Sequence, residues 1–216
     1  MKYNNIFFDL DGTLTDSGEG IRNSVSYALD KFGIKDVDKA VLNKFIGPPL
    51  IDAFIEHFGF THENAELALK YYREYFAPKG IYENSVYEGI PELLGDLRLA
   101  GAKLYLATSK PEHFAKQILD HFDLAKYFAY VSGPEMDGTR NEKHEVIEYA
   151  LQNLNIPSAD VVLMVGDRRD DVVGAQKCNM NCVGVEWGFG TKEELVAAGA
   201  IQVIQEPQEL LNFFEE

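Results

Sequence analysis

Short apolar runs alternate with amphipathic stretches along most of this chain. The apolar runs cover residues 6–10, 103–108, 127–132, 161–165, 182–186 and 201–204. Each has strand length, and several are rich in β-branched or aromatic residues. Helical spacing separates the later runs. Leu93, Leu94 and Leu97 follow Pro91; Phe114, Ile118 and Leu119 follow Pro111; Val146, Ile147, Ala150, Leu151 and Leu154 share one face. Thr191 and Glu194 predict a capping box, Gly199 a helix stop and Pro207 the start of a last helix. Such alternation predicts an α/β fold, a doubly wound parallel sheet with helices on both faces.

Residues 17–80 break the pattern, with no strand signal and helical periodicity throughout. Ile21, Val25, Ala28, Leu29 and Phe32 form one face, closed by Gly33. Val41, Leu42, Phe45 and Ile46 form a second, closed by Gly47, Pro48 and Pro49. Leu50, Ile51, Phe54, Ile55 and Phe58 form a third, and Ala65, Ala68, Leu69, Tyr72 and Phe76 a fourth behind the N-cap Thr61. This is too long for a plain βα connection and predicts an inserted four-helix cap. The expected domains are a core of residues 1–16 and 84–216 and a cap of residues 17–83. An insertion after the first strand is rooted at the carboxyl edge of the sheet, where ligands bind in such folds. The cap is therefore expected to act as a lid, hinged near Thr15 to Ser17 and near Asn84 and Ser85.

Charge narrows the partners. At 216 residues and a net charge of −15, the chain is a poor match for nucleic-acid polymers or anionic membranes. A small phosphorylated ligand needs only local positive charge. No run reaches the ~18 apolar residues of a membrane span, and the start of the chain has no signal-peptide pattern, so a cytoplasmic protein is expected. Cys178 and Cys182 make no disulfide framework and are read as half-buried thiols.

The chemistry concentrates in Phe8, Asp9, Leu10, Asp11, Gly12, Thr13, Leu14, Thr15, Asp16 and Ser17. An apolar strand runs into carboxylates at i and i+2, which point the same way. Like charges so close need a cation or a shared proton, and hard oxygen ligands suit Mg²⁺.

That string resembles motif I of the haloacid dehalogenase superfamily in its phosphatase branch. Three further strings follow in order. Leu106, Ala107, Thr108, Ser109, Lys110 and Pro111 resemble motif II; Lys143, behind Thr139 to Glu142, resembles the motif III lysine; Gly166, Asp167, Arg168, Arg169, Asp170 and Asp171 resemble motif IV. The resemblance covers nearly the whole chain and implies a Rossmann-like core. It implies Asp9 as nucleophile, forming an aspartyl-phosphate, and Asp11 as general acid and base. Mg²⁺ is expected on Asp9, the Asp11 carbonyl, Asp167 and Asp171, the last directly or through water. Thr108 and Lys143 are expected on the phosphoryl oxygens, with Leu10, Asp11 and Ser109 completing that set. The dehalogenases lack the second aspartate, so Asp11 points to phosphate chemistry.

Phe45 to Pro49 and Gly138 to Arg140 resemble the phosphoglycolate phosphatase-like group, closest to its 5'-nucleotidase-like members. A phosphomonoesterase of a nucleoside 5'-monophosphate or phosphoglycolate is expected, as a monomer or homodimer. A sugar phosphomutase or a non-catalytic phospho-ligand-binding regulator are the alternatives. Lys44, Gly47 and Arg73 are the candidate substrate contacts of the cap.

Overall fold

The computed structural model describes residues 3–156 and 158–213. The outer ends of the expected core, 1–2 and 214–216, lie outside the described residues. The chain starts with β1 (Asn5–Phe8) and β2 (Thr15–Asp16), then runs through α1 (Gly18–Asp30), α2 (Lys39–Asn43), α3 (Leu50–Phe58) and α4 (His62–Phe76) to β3 (Ser85–Val86). It continues as α5 (Ile90–Leu99), β4 (Lys103–Ala107), α6 (Glu112–His121), β5 (Phe128–Ser132), α7 (Lys143–Leu154), β6 (Val162–Gly166), α8 (Arg169–Lys177), β7 (Asn181–Val185), α9 (Lys192–Ala198) and β8 (Gln202–Ile204). Two compact units result: Met1–Thr15 with Val86–Glu216, and Asp16–Ser85. At the two junctions β2 and β3 pair as a two-stranded sheet.

The first unit holds a six-stranded sheet in the order β5-β4-β1-β6-β7-β8, with every pair parallel. The central strands β1 and β6 are buried at every position, as a sheet covered on both faces requires, whereas β5 and β8 at the edges are only partly covered. Phe7, Tyr105, Met164, Val146, Ile147 and Val172 belong to one core cluster between the sheet and α7 and α8. Burial of each such side chain contributes about 1.5–3 kcal/mol. Asn5, a polar residue in the central strand, accepts a 2.9 Å hydrogen bond from the Tyr105 hydroxyl. Asn5 pairs with Lys103 and Val162, so β1 begins one residue before the apolar run at 6–10, and the hydrogen bond lets its polar side chain be buried there.

Strand order places the site. The chain adds β4 and β5 on one side of β1 before β6, β7 and β8 on the other. The reversal leaves a crevice beyond the carboxyl ends of the strands that flank the switch. Phe8 pairs with both Leu106 and Val165, so the residues that follow these strands emerge at one edge. Those residues are Asp9, Thr108 and Asp167.

Two expectations need correction. Thr191 accepts from the Glu194 N–H at 3.2 Å, but the Glu194 carboxylate does not close the box. It accepts from the Arg169 N–H at 2.9 Å instead, tying α9 to α8. The last helix does begin at Pro207, as a 3-10 helix over Pro207–Phe213. Cys178 and Cys182 are buried rather than half-buried, and neither is in a disulfide. Burial pushes the Cys178 thiol up to about 11 and that of Cys182 well above its ordinary range.

In the second unit α1 packs on α4, and α4 on α3. Phe45 meets Phe54 at 4.9 Å between ring centroids, and Phe32 meets Phe60 at 4.7 Å. α2 ends at Asn43, so Phe45 and Ile46 lie in the turn beyond it rather than in the helix, still fully buried. Glu83 ties the returning chain down: its carboxylate accepts from Asn23 at 2.9 Å and from the Tyr75 hydroxyl at 3.1 Å, and its carbonyl accepts from the Gly20 N–H at 3.0 Å. Among the described residues no helix is long and apolar enough to cross a membrane.

Candidate active site

Asp9 directly follows β1, and its N–H extends the sheet ladder to the Val165 carbonyl at 2.9 Å. Its backbone is thereby fixed, and its side chain emerges at the crevice. Lys143, the first residue of α7, reaches the same point. Its ammonium donates to Asp9 Oδ1 at 2.7 Å and to the Ala107 carbonyl at 3.0 Å, and pairs with Asp171 Oδ1 at 2.6 Å. Gly174 on α8 makes room for the lysine stem, since a Cβ there would stand 2.6 Å from Lys143 Cγ. Asp167 completes the group: one carboxylate oxygen each from Asp9, Asp167 and Asp171 lie within 4.8 Å of one another, all buried.

Three buried carboxylates around one ammonium leave negative charge in excess. Burial pushes the Asp9 carboxyl up to about 6; Lys143 pulls it down, while Asp171 and Asp11 push it further up. Burial, with Asp171 and Asp9, holds Asp167 well above the usual carboxylate range despite the Phe189 N–H and Arg168. Burial works against the Lys143 ammonium, but Asp171 and Asp9 outweigh it and raise its value. A hard dication would relieve this excess, so the donor set fits Mg²⁺.

The raised Asp9 value has a measurable consequence for the metal-free protein. Between about pH 4 and 6 the folded chain holds a proton that the unfolded chain releases. The associated stability is therefore present below about pH 4 and lost as pH rises through about 6. Asp9→Asn removes this dependence. Metal-free Asp9→Asn is expected to melt roughly 5–10 °C above the parent at pH 7.5, with the gap about halved at pH 5. Calorimetry in chelator at both pH values checks this. A gap that does not change with pH contradicts the assignment.

Asp11 sits apart from the carboxylate group on a different partner. Its Oδ2 lies 3.0 Å from the Lys110 ammonium, and its Oδ1 is buried without a hydrogen-bond partner among the described residues. Thr108 follows β4, buried, and its hydroxyl accepts from the Lys110 N–H at 3.2 Å. Leu10 is buried, and Ser109 is half-buried beside Thr108. Lys44, Gly47 and Arg73 belong to the second unit. Lys44 is exposed at the C-cap of α2, Gly47 has φ 107° in the turn that follows, and Arg73 is half-buried on α4.

Two features escaped the sequence reading. Lys110 stood inside the motif II string without a role. The loop of Trp187, Gly188, Phe189 and Gly190 after β7 was not singled out. Trp187 Nε1 donates to the Thr13 carbonyl at 3.0 Å, and the Phe189 N–H donates to Asp167 Oδ2 at 2.7 Å. Gly188 lets this loop lie against the site: a Cβ there would stand 2.3 Å from Asp167 Cβ and 2.4 Å from the Gly12 carbonyl. The chain's single tryptophan, followed by Gly188 and Gly190 just beyond a strand end, was the available signal.

The profile of the haloacid dehalogenase-like hydrolases matches residues 6–185. The chain is 47% identical to a 5'-nucleotidase of Pseudomonas aeruginosa over 91% of its own length and 89% of that protein's. It is 40% identical to the tyrosine-protein kinase PtkA of Mycobacterium tuberculosis over 86% of its length, which spans 62% of that protein. The crystal structure of a predicted phosphatase from Clostridium acetobutylicum superposes with a TM-score of 0.95 at 50% identity, covering 99% of this chain and 98% of that one.

Proposed function

The chain belongs to the haloacid dehalogenase-like hydrolase family and is a phosphoric monoester hydrolase of it; from that premise we propose that it is a Mg²⁺-dependent phosphatase of nucleoside 5'-monophosphates, working through an aspartyl-phosphate on Asp9. The observation that carries the reaction is the Lys143 ammonium 2.7 Å from Asp9, within a buried group that also holds Asp167 and Asp171. With its carboxyl near 6, Asp9 is ionised at neutral pH and needs no base to attack. An Asp9 oxygen bonds to phosphorus while the ester oxygen leaves with a proton from Asp11. Water then attacks phosphorus, returns a proton to Asp11 and frees Asp9. Lys143, the Thr108 hydroxyl, Ser109 and the backbone at Leu10 and Asp11 hold the non-bridging oxygens. Asp9, Asp167, Asp171 and the Asp11 carbonyl would hold Mg²⁺, which supplies charge neutralisation for the phosphoryl group when bound.

The nucleotide preference rests on the Pseudomonas aeruginosa 5'-nucleotidase. We assign reading of the leaving group to the cap, residues 17–83, because it is inserted in the connection that follows Asp9. Reaction in the cytoplasm with a small phosphorylated metabolite completes the proposal. The test is kcat/KM for nucleoside 5'-monophosphates, phosphoglycolate and p-nitrophenyl phosphate with purified protein and Mg²⁺. Nucleotides are expected to lead phosphoglycolate by at least about tenfold. Phosphoglycolate in the lead overturns the substrate; an isomerised sugar phosphate without free phosphate overturns hydrolysis. Lys44→Ala and Arg73→Ala should reorder the natural substrates and spare the aryl ester, while Lys143→Ala depresses all alike. One common factor across substrates for the cap variants removes those two residues from specificity.

A further inference from the structure

Lys110 is a buried lysine that the mechanism above does not use. Its side chain is 5% exposed, and its ammonium lies 3.0 Å from Asp11 Oδ2. The backbone that carries it is pinned from two directions. Its N–H donates to the Thr108 hydroxyl, and its carbonyl packs so closely on Gly133 that a Cβ there would stand 2.5 Å away. The next turn is tied to the same strand end, with the Glu112 N–H donating to the Pro134 carbonyl at 3.0 Å. A lysine stem rooted so firmly presents its charge at a fixed point. Asp11 is thus held through Oδ2. Its other oxygen, Oδ1, is buried without a hydrogen-bond partner among the described residues. A buried carboxylate oxygen without a partner is costly unless function supplies one.

We propose that Lys110 is a positioning residue that clamps Asp11 through Oδ2, so that Oδ1 is the atom that exchanges the proton with the ester oxygen and later with water. The proposal rests on the reading of Asp11 as general acid. In the first half-reaction the bond from phosphorus to the ester oxygen breaks as the bond to Asp9 forms. The ester oxygen takes the proton of Asp11 Oδ1, and the carboxylate left behind faces the Lys110 ammonium. Without the clamp the Asp11 side chain can turn, and Oδ1 is no longer held toward the leaving oxygen. A misplaced acid harms esters with basic leaving groups and spares those whose leaving group departs as a stable anion. A lysine that merely balanced charge would affect every ester equally.

The test is kcat/KM with Mg²⁺ for p-nitrophenyl phosphate, phenyl phosphate and a nucleoside 5'-monophosphate, in order of rising leaving-group basicity. This parameter reports steps up to departure of the leaving group. Lys110→Met is expected to cost about 100-fold or more on the nucleotide and less than about fivefold on the p-nitrophenyl ester, with phenyl phosphate between. Lys110→Arg, which keeps the charge and a donor, should recover most of the nucleotide rate. Should the methionine variant fail to fold by its melting curve, Lys110→Gln takes its place. A common factor across the three esters overturns the proposal, as does an arginine variant no better than the methionine one. Asp11→Asn serves as the reference. If it shows the leaving-group dependence and the Lys110 variants do not, Lys110 is wrong and Asp11 stands. If it shows none, the acid role of Asp11 falls and the proposal falls with it.

Discussion

Asp9→Asn is expected to lower kcat by roughly 10⁴-fold or more on every phosphate monoester while leaving the protein folded. The amide has almost the shape of the carboxylate, and its carbonyl oxygen can still accept from Lys143, 2.7 Å from the parent oxygen. What it lacks is a nucleophile, because an amide oxygen carries too little charge to displace an alkoxide from phosphorus. The expected melting behaviour separates this from damage to the fold. Burial disfavours the Asp9 charge, so the neutral variant should be at least as stable as the metal-free parent near neutral pH. An inactive variant that melts well below the parent would point to structural loss instead. A variant that retains turnover within about tenfold of the parent, in material free of contaminating phosphatase, removes Asp9 from the covalent step.

What the sequence disclosed and what it hid follow from how each feature is encoded. The central strands were readable because a sheet covered on both faces demands unbroken apolar runs, and β1 and β6 are buried at every position. The place of Asp9 and Asp11 just beyond a strand end is local and was readable, but β1 stops at Phe8 and Asp11 pairs with Lys110 instead of joining the carboxylate group. Asp167, just after β6, and Asp171, in the first turn of α8, are also encoded locally. The partnership of Lys143 with Asp9, 134 residues apart, is not local and depended on the order of the motifs. Lys110 was overlooked for a related reason. A lysine before a proline carries no signal of its own until the fold sets β4 beside β1 and its ammonium beside Asp11. The loop at 187–190 was hidden more deeply. It acts on Asp167 through a backbone N–H and through the absence of a side chain at Gly188, and neither depends on a reactive residue type. The incomplete capping box has the same origin: Glu194 found the Arg169 N–H, a partner that only tertiary structure provides.

Removal of divalent metal is expected to reduce turnover to below about 1% of the Mg²⁺-saturated rate, with full recovery on adding Mg²⁺ back. Charge sets this dependence. A phosphate monoester brings about two negative charges toward three buried carboxylates whose ligand atoms lie within 4.8 Å of one another. Among the described residues Lys143 is the cation that touches this group, and it is already shared between Asp9 and Asp171. One ammonium cannot offset both the cluster and the substrate, so the substrate is repelled and Asp9 is held back from phosphorus. Ca²⁺ is expected to bind without restoring turnover and to inhibit in competition with Mg²⁺. It takes six to eight oxygen ligands at about 2.3–2.6 Å, against six at about 2.0–2.1 Å for Mg²⁺. The added ligand demand falls on Asp9, whose oxygen must stay available for attack. Asp167→Asn should raise the Mg²⁺ concentration for half-maximal rate by about 10–100-fold, since it removes one anionic ligand and weakens the acceptor for the Phe189 N–H. The measurement is initial phosphate release after chelation and desalting, titrated with each ion. Undiminished turnover in excess EDTA would refute metal dependence. A Ca²⁺ curve that matches the Mg²⁺ curve would refute the account of ion choice and leave the charge argument in place.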